Sequence, residues 1–465
     1  MKNLIDYSIY KGVIIMDVVV LSRIQFAMTV GFHFIFPPIS IGLSWLLVLV
    51  EAFAWKRKDE IYEKIGKFFS KILALSFAVG VATGITMEFQ FGTNWAEYSK
   101  FVGDIFGAPL AAEGVFAFFL ESGFLGLYLF GRNRVNKGTH WFSILMVAIG
   151  ATISAFWIIV AGSWMQTPAG YVIRNGRAEL TDFWAAVFNP STMIRFCHTV
   201  DAALITGAFM MAGISAYLIL KARHDVLAKK SMKLAVIFGL VVSLLELFPF
   251  GHLSGREVAQ LQPEKFAAIQ GLYTTQSGAP LAVFAFPVMP PPQLKAKVEI
   301  PSLLSYLAFG DANAKIKGIN EFPPENIPPL FITFVSYHNM VLLGMLFILL
   351  TGLGTIQLYR KKLWESKKLL KLFIWAIPFP VFACELGWIS AEVGRQPWIV
   401  YKVMRTADAV STSIVPGDVI FSIIMFGLIY LLLGCLFVYL LVREIKHGPE
   451  PLLQTSGIAA KKEVL

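Results

Sequence analysis

Apolar runs of about 20 residues recur along this chain, each long enough to cross the hydrocarbon core of a bilayer. Nothing constrains the fold more, because a backbone in lipid must satisfy its hydrogen bonds within itself, which for runs of this length means helices. With 56% of residues hydrophobic and 15% charged, the chain reads as an all-α integral membrane protein. Hydropathy and charge punctuation predict about nine transmembrane helices, near 26–55, 69–92, 107–131, 141–164, 196–220, 232–251, 328–357, 369–392 and 417–442. Met1–Val20 carries Asp6 and Asp17, and the apolar segment that follows runs past signal length without a small-residue cleavage site. The first span is therefore expected to stay in the mature protein.

Lysine and arginine place the ends. Connections holding Lys56-Arg57-Lys58, Arg132/Arg134/Lys137, Lys221/Arg223/Lys229/Lys230/Lys233 and Arg360-Lys361-Lys362/Lys367/Lys368 fall on one side if every span crosses once, together with Arg443 and Lys446. The positive-inside rule makes that side the cytoplasm, so the N-terminus and Arg395 are expected outside and the C-terminus inside. The net charge of +10 is then mostly topology and asks for no nucleic-acid partner. Cys197, Cys384 and Cys435 lie in or beside apolar spans without CxxC spacing, and read as core packing residues.

One long connection, 252–327, interrupts the pattern. It carries Pro263, Pro280, Pro287, Pro290-Pro291-Pro292 and Pro323-Pro324 and reads as a structureless, functional loop on the outer side. The chain thus divides into the first six spans (1–251), this loop, the last three spans (328–448) and a cytoplasmic tail (449–465). No internal repeat argues for an inverted-repeat transporter.

Ionisable groups inside spans are costly and mark function. His33 lies in an aromatic stretch of the first span, and His198 lies at the outer end of the fifth. Imidazole and thioether are the usual axial ligands of electron-transfer haems, which makes Met340 a partner for His198. Met340 alone says little, since most methionines in spans are packing. Glu113 and Glu121, eight apart on the third span, sit two turns and roughly 12 Å apart on a regular helix. They suggest a proton relay; the alternative is that each pairs with a cation on a neighbouring helix. Glu88 closes the second span, there either to form an ion pair or to hold haem propionates.

The stretch Gly387-Trp388-Ile389-Ser390-Ala391-Glu392-Val393-Gly394-Arg395-Gln396-Pro397-Trp398 sets a carboxylate and a guanidinium at the end of the eighth span. It resembles the GWxxxExGRQPW block of subunit I of the cytochrome bd quinol oxidases. Leu21–Ala27, Gly80–Trp95 and Gly103–Leu110 are similar to further blocks of that family, and the likeness runs from Leu21 to Gly448. The resemblance implies a nine-span subunit carrying two b-type haems and one haem d, or a third b-type haem. It implies that His198 and Met340 ligate the low-spin haem and that His33 and Glu392 serve the high-spin centres. Glu113 and Glu121 match the family's proton path, Trp388 the aromatic between haems, and Arg395 the arginine of its GRQPW run. By the same resemblance, quinol is oxidised at the outer face, O2 is reduced to water with cytoplasmic protons, and no proton is pumped. It further implies a bacterial or archaeal cytoplasmic membrane and a second large membrane subunit, with room for small single-span subunits.

Three positions depart from the family. The outer loop matches the family's quinol loop at Lys265, but Gln270 stands where an acid is usual, leaving Glu264, Glu257 or His252 to take the proton. His338 replaces an arginine two residues before Met340; it can donate to a propionate or compete as a ligand. Gly162 replaces a common asparagine. Gln270 and His338 motivate an alternative, a related haem oxidoreductase with another donor or acceptor; an ion-coupled transporter is a third reading.

Overall fold

The computed structural model describes residues 9–10, 13–14, 17–288 and 293–449. Asp6, the run Pro290-Pro291-Pro292 and the tail beyond residue 449 lie outside the described residues. Helix α1 (Val18–Phe34) starts at Asp17, whose Oδ1 accepts from Val19 N at 3.1 Å. It stops because Pro37 and Pro38 have no N–H for the carbonyls of His33 and Phe34. Helix α2 (Phe36–Arg57) resumes at once, and the pair forms a 40-residue rod, longer than the expected 26–55. His33 occupies the last turn before the joint.

The chain continues through α3 (Glu60–Thr93), α4 (Ala96–Ala112), a π-helical segment (Glu113–Phe118), α5 (Phe119–Phe130), α6 (Lys137–Gln166), a short α7 (Phe183–Val187) and α8 (Thr192–Leu220). Helix α9 (Asp225–Leu245) passes through a second π segment (Glu246–Gly251) into α10 (His252–Leu261). Then come α11 (Pro263–Gln270), α12 (Leu303–Phe309), α13 (Leu330–Tyr359), α14 (Lys367–Trp375), α15 (Phe379–Val393) and α16 (Pro416–His447). Among the described residues eight helical rods are long and apolar enough to span a membrane; α14 and α15, bent by 41° at their break, make the ninth when taken together.

Helix α2 is the hub, packed by α3, α6 and α8. Phe36, Leu43, Leu46, Phe69, Phe209 and Phe373 are buried around it. Where α2 crosses α8, Gly42 meets Gly207 backbone to backbone: a Cβ on Gly207 would lie 2.6 Å from Gly42 Cα. Small residues at a crossing are how helices without a hydrophobic drive between them come close. Helix α16 is peripheral, burying only Val419, Tyr430 and Phe437. Cys197 and Cys384 are half-buried as expected, but Cys435 is exposed on α16, a correction to its reading as core; all three are free thiols.

The connection between the sixth and seventh rods corrects the expectation of a structureless loop. Pro263 sits at the first turn of α11 and Gly271 ends it in the left-handed conformation, the usual pairing of a helix start and stop. Leu281–Val288 and Gln293–Ile300 pair as an antiparallel hairpin. Val258, Phe266, Ile269, Leu272, Leu304 and Ile316 bury together as a small core of their own. Apolar residues scattered among prolines thus suffice to fold it.

At the end of the bundle opposite Arg395, Glu51 is 4% exposed and accepts from Arg132 Nη2 at 2.6 Å and from the Tyr128 hydroxyl at 2.9 Å. Lys137 pairs there with Glu63, and Lys230 with Asp59.

Candidate functional site

At the other end, α15 delivers Glu392 to a buried polar cage. Glu392 Oε1 accepts from Gln166 Nε2 at 3.2 Å, and its Oε2 pairs with Arg395. Arg395 is 4% exposed; its Nε donates to Trp398 O at 3.3 Å, and its Nη1 has no partner among the described residues. The folded connection closes this cage. Lys265, expected to line a quinol loop, points inward, its Nζ donating to Ala391 O at 2.8 Å, Gln166 Oε1 at 3.1 Å and Gln262 Oε1 at 3.2 Å. Burial, and then the nearby Arg195, hold its ammonium well below the ordinary lysine range. Arg195 Nε lies 3.7 Å from Glu257 Oε1, too far for a hydrogen bond. Three cations, Arg195, Lys265 and Arg395, therefore face two carboxylates, Glu257 and Glu392, and two guanidinium nitrogens are left over. Such an excess of buried donors suits a further anion.

His33 faces α3. Its Nδ1 lies 3.0 Å from Thr83 Oγ1, and that hydroxyl is also 2.9 Å from Val79 O and 3.0 Å from Gly80 O. A hydroxyl has one hydrogen; given to a carbonyl, it leaves the oxygen to accept from Nδ1–H and Nε2 free as a lone-pair ligand. Gly84 makes room, since a Cβ there would lie 3.1 Å from His33 Cε1. Two residues earlier, Gly31 lets α15 approach, with Glu385 Oε2 at 3.5 Å and the Trp388 ring at 3.9 Å from where its Cβ would be. Trp388 and Glu385 thus reach the helix that carries His33.

His198 stands one element away. Its Nδ1 lies 2.8 Å from Glu246 Oε1, though the N–H is not aimed straight at the oxygen. A carboxylate this close to Nδ1 is the neighbour that orients many metal-ligating histidines. Met340 lies on α13, its Sδ 2.9 Å from where a Cβ on Gly387 of α15 would be; the first glycine of the GWxxxE block is space for this thioether. Helix α8, the second π segment, α13 and α15 pack against one another. His338 is engaged elsewhere: its ring stacks on Phe334 at 3.8 Å, with Nδ1 3.1 Å from Phe334 O and Nε2 3.3 Å from Ala282 O. A neutral imidazole has one N–H, so the ring donates to one of these two carbonyls.

Glu113 and Glu121 do not sit on a regular helix. Eight residues along an α-helix would leave them roughly 80° apart around the axis, but a π turn takes up one extra residue and brings that to roughly 20°. Both then face α6. Ser154 Oγ donates to Glu113 Oε1 at 2.6 Å, and a Cβ on Gly150, one turn earlier, would lie 3.1 Å from Glu121 Cβ. Pro109, inside α4 just before the segment, lacks the N–H a regular helix would use there. Glu88 makes no ion pair among the described residues.

In the folded connection, Glu264 accepts from the Tyr401 hydroxyl at 2.5 Å and pairs with Lys402 at 3.3 Å. Burial, then Glu264, push that phenol above its ordinary range. Gln270 is 6% exposed with Oε1 unpartnered. His252 packs against Phe248 in a tilted ring pair, centroids 5.3 Å apart.

Sequence reading passed over Arg195, Asp201, Glu246 and Glu385. The signal was present, because each interrupts an apolar span with a charge.

A helical membrane bundle that sets half-buried imidazole, thioether and carboxylate groups beside an excess of cationic donors has the donor set of a haem-bearing membrane redox protein. The family model for cytochrome bd terminal oxidase subunit I matches residues 21–449. The chain belongs to that family, and it is the haem-bearing subunit of a terminal oxidase. It is 44% identical to cytochrome bd ubiquinol oxidase subunit 1 of Bacillus subtilis, over 94% of this chain and 95% of that one. It is 35% identical to cytochrome bd-II ubiquinol oxidase subunit 1 of Escherichia coli, over 93% and 97%. The structure of bd oxidase from Geobacillus thermodenitrificans superposes with a TM-score of 0.88 at 30% identity, covering 93% of this chain and 99% of that one. The transporter reading is thereby withdrawn.

Proposed function

We propose that this subunit oxidises quinol at the outer membrane face and directs the electrons to O2 with protons from the cytoplasm. The observation that carries the reading is the closure of the cage by the folded connection: Lys265 donates to Ala391 O at 2.8 Å, one residue from Glu392. A donor site on that connection is thus joined to the redox site.

The residues fit haem groups. His198 and Met340 hold the low-spin haem, and His33 and Glu392 serve the high-spin pair, two b-type haems and one haem d or a third b-type haem in all. The unpartnered Arg395 Nη1 and Arg195 Nε are buried donors that a propionate satisfies. When bound, these haems carry electrons singly and the iron with an open position reduces oxygen. Trp388 fills the space between α15 and α1. Gln270 has no charge to accept a proton, and Glu264 is held by Tyr401 and Lys402. Glu257, which lies in the cage itself with Oε2 unpartnered, takes the quinol proton. Glu121 and Glu113, phased onto one face of their rod, hand protons along α6, Ser154 orienting the second of them.

The protein sits in a bacterial or archaeal cytoplasmic membrane, N-terminus outside and C-terminus inside, beside a second large membrane subunit and room for small single-span subunits. The test is quinol-driven oxygen uptake by the purified two-subunit oxidase, with reduced-minus-oxidised spectra. Wild type consumes O2 with ubiquinol or menaquinol analogues; His198→Ala loses the low-spin b band. Intact haem bands with no uptake from either quinol would overturn the donor assignment.

A further inference from the structure

The half-buried carboxylate of Glu246 is unused by the mechanism above. It stands in the π segment between α9 and α10, where Phe248 leaves helical geometry and Pro249 supplies no N–H. π turns inside helices concentrate at functional positions. This one brings Glu246 Oε1 to 2.8 Å from His198 Nδ1, with the two side chains 16% and 26% exposed. Asp201, one turn further along α8, adds a second carboxyl group to the same pocket. The segment also packs against α13, the helix of Met340.

We propose that Glu246 is a positioning residue that fixes the His198 ring and lowers the midpoint potential of the haem His198 ligates. The inference rests on His198 being that ligand. A carboxylate beside Nδ1–H orients the ring and raises the basicity of Nε2. A more basic ligand, with a negative charge behind it in a poorly screened interior, favours ferric over ferrous iron. The His198–Glu246 contact thus works against the reduced state. The three-way grouping of His198, Glu246 and Asp201 does not reach solvent freely, so screening is weak.

The experiment is redox potentiometry of the low-spin b band in the intact two-subunit oxidase, with the ferric low-spin EPR signal as a second readout. Glu246→Gln keeps shape and removes charge. The expected result is a retained band whose reduction equilibrium shifts about tenfold toward the reduced form, about 59 mV for one electron. Glu246→Asp restores the charge and is expected to fall between Gln and wild type. An intact band at the wild-type potential in Glu246→Gln overturns the proposal. If the Gln variant fails to assemble, an Asp variant whose potential and EPR signal equal wild type's overturns it as well. His198→Ala separates the two readings. Loss of the low-spin band there leaves the test of Glu246 standing, whereas its survival refutes the ligand assignment and the tuning together.

Discussion

Gly207→Ala is expected to loosen the bundle at its hub. Its methyl would lie 2.6 Å from Gly42 Cα, whereas ordinary contact begins near 3.4 Å. Both partners are backbone, so no side chain can swing aside, and α2 and α8 must part by about 1 Å. A gap of that size forfeits roughly a quarter to a half of each dispersion contact across the interface, and each contact is worth about 0.1–0.2 kcal/mol. The crossing is flanked by Leu43, Leu46, Phe209, Met210 and Met211, all buried. With about 40–60 contacts for each such side chain and about a third of them crossing the interface, the loss is on the order of 2–10 kcal/mol. Overpacking measured elsewhere, about 1–3 kcal/mol, overlaps that range. The assay is thermal unfolding of the purified oxidase in detergent, with haem content followed in parallel. Gly352→Ala is the matched control: its nearest neighbour to an added Cβ is Leu240 Cδ1 at 4.0 Å, and a mid-helix glycine replaced by alanine gains up to about 1 kcal/mol. Gly207→Ala unfolding at the same temperature as wild type would refute the backbone-contact argument.

Three further outcomes follow from the site. The unfolded chain keeps a proton on Lys265 up to its ordinary value of 10.5 while the folded chain releases it sooner, so the unfolded state binds more protons and stability rises with pH through that window; melting temperature should climb from neutral toward alkaline pH, and less steeply in Lys265→Met. Glu113→Gln keeps a partner for Ser154 but cannot pass a proton, so oxygen uptake should fall by about 10²-fold or more with haem spectra intact. Arg395→Met strands Glu392 without its cation at a cost of about 3 kcal/mol, read as a lower melting temperature and a lower total haem content by pyridine haemochrome.

Much of this architecture was readable from the residues. Span number and rough limits follow from apolar length, and Glu392 and Arg395 announced themselves as charges at a span's end. What escaped depended on local backbone geometry or on partners far away in sequence. The π turn after Pro109 leaves no hydropathy signature, so Glu113 and Glu121 read as ordinary helical neighbours. Lys265 read as a loop lysine because its acceptors, Gln166 and Ala391, come from two distant rods. The hairpin that brings Ala282 O to His338 Nε2 is likewise distant in sequence. The connection around Pro280 and Pro287 looked unstructured because its apolar residues follow no single period.

The wide turn at Glu113–Phe118 has one more consequence. A spare residue pushes a main-chain oxygen out of the helical ladder, and an oxygen without its amide turns to water. Hydration between the two carboxylates would then be anchored by the chain's own backbone. Deleting one residue between Gly114 and Phe118 would restore a regular helix and take Glu113 and Glu121 off their shared face.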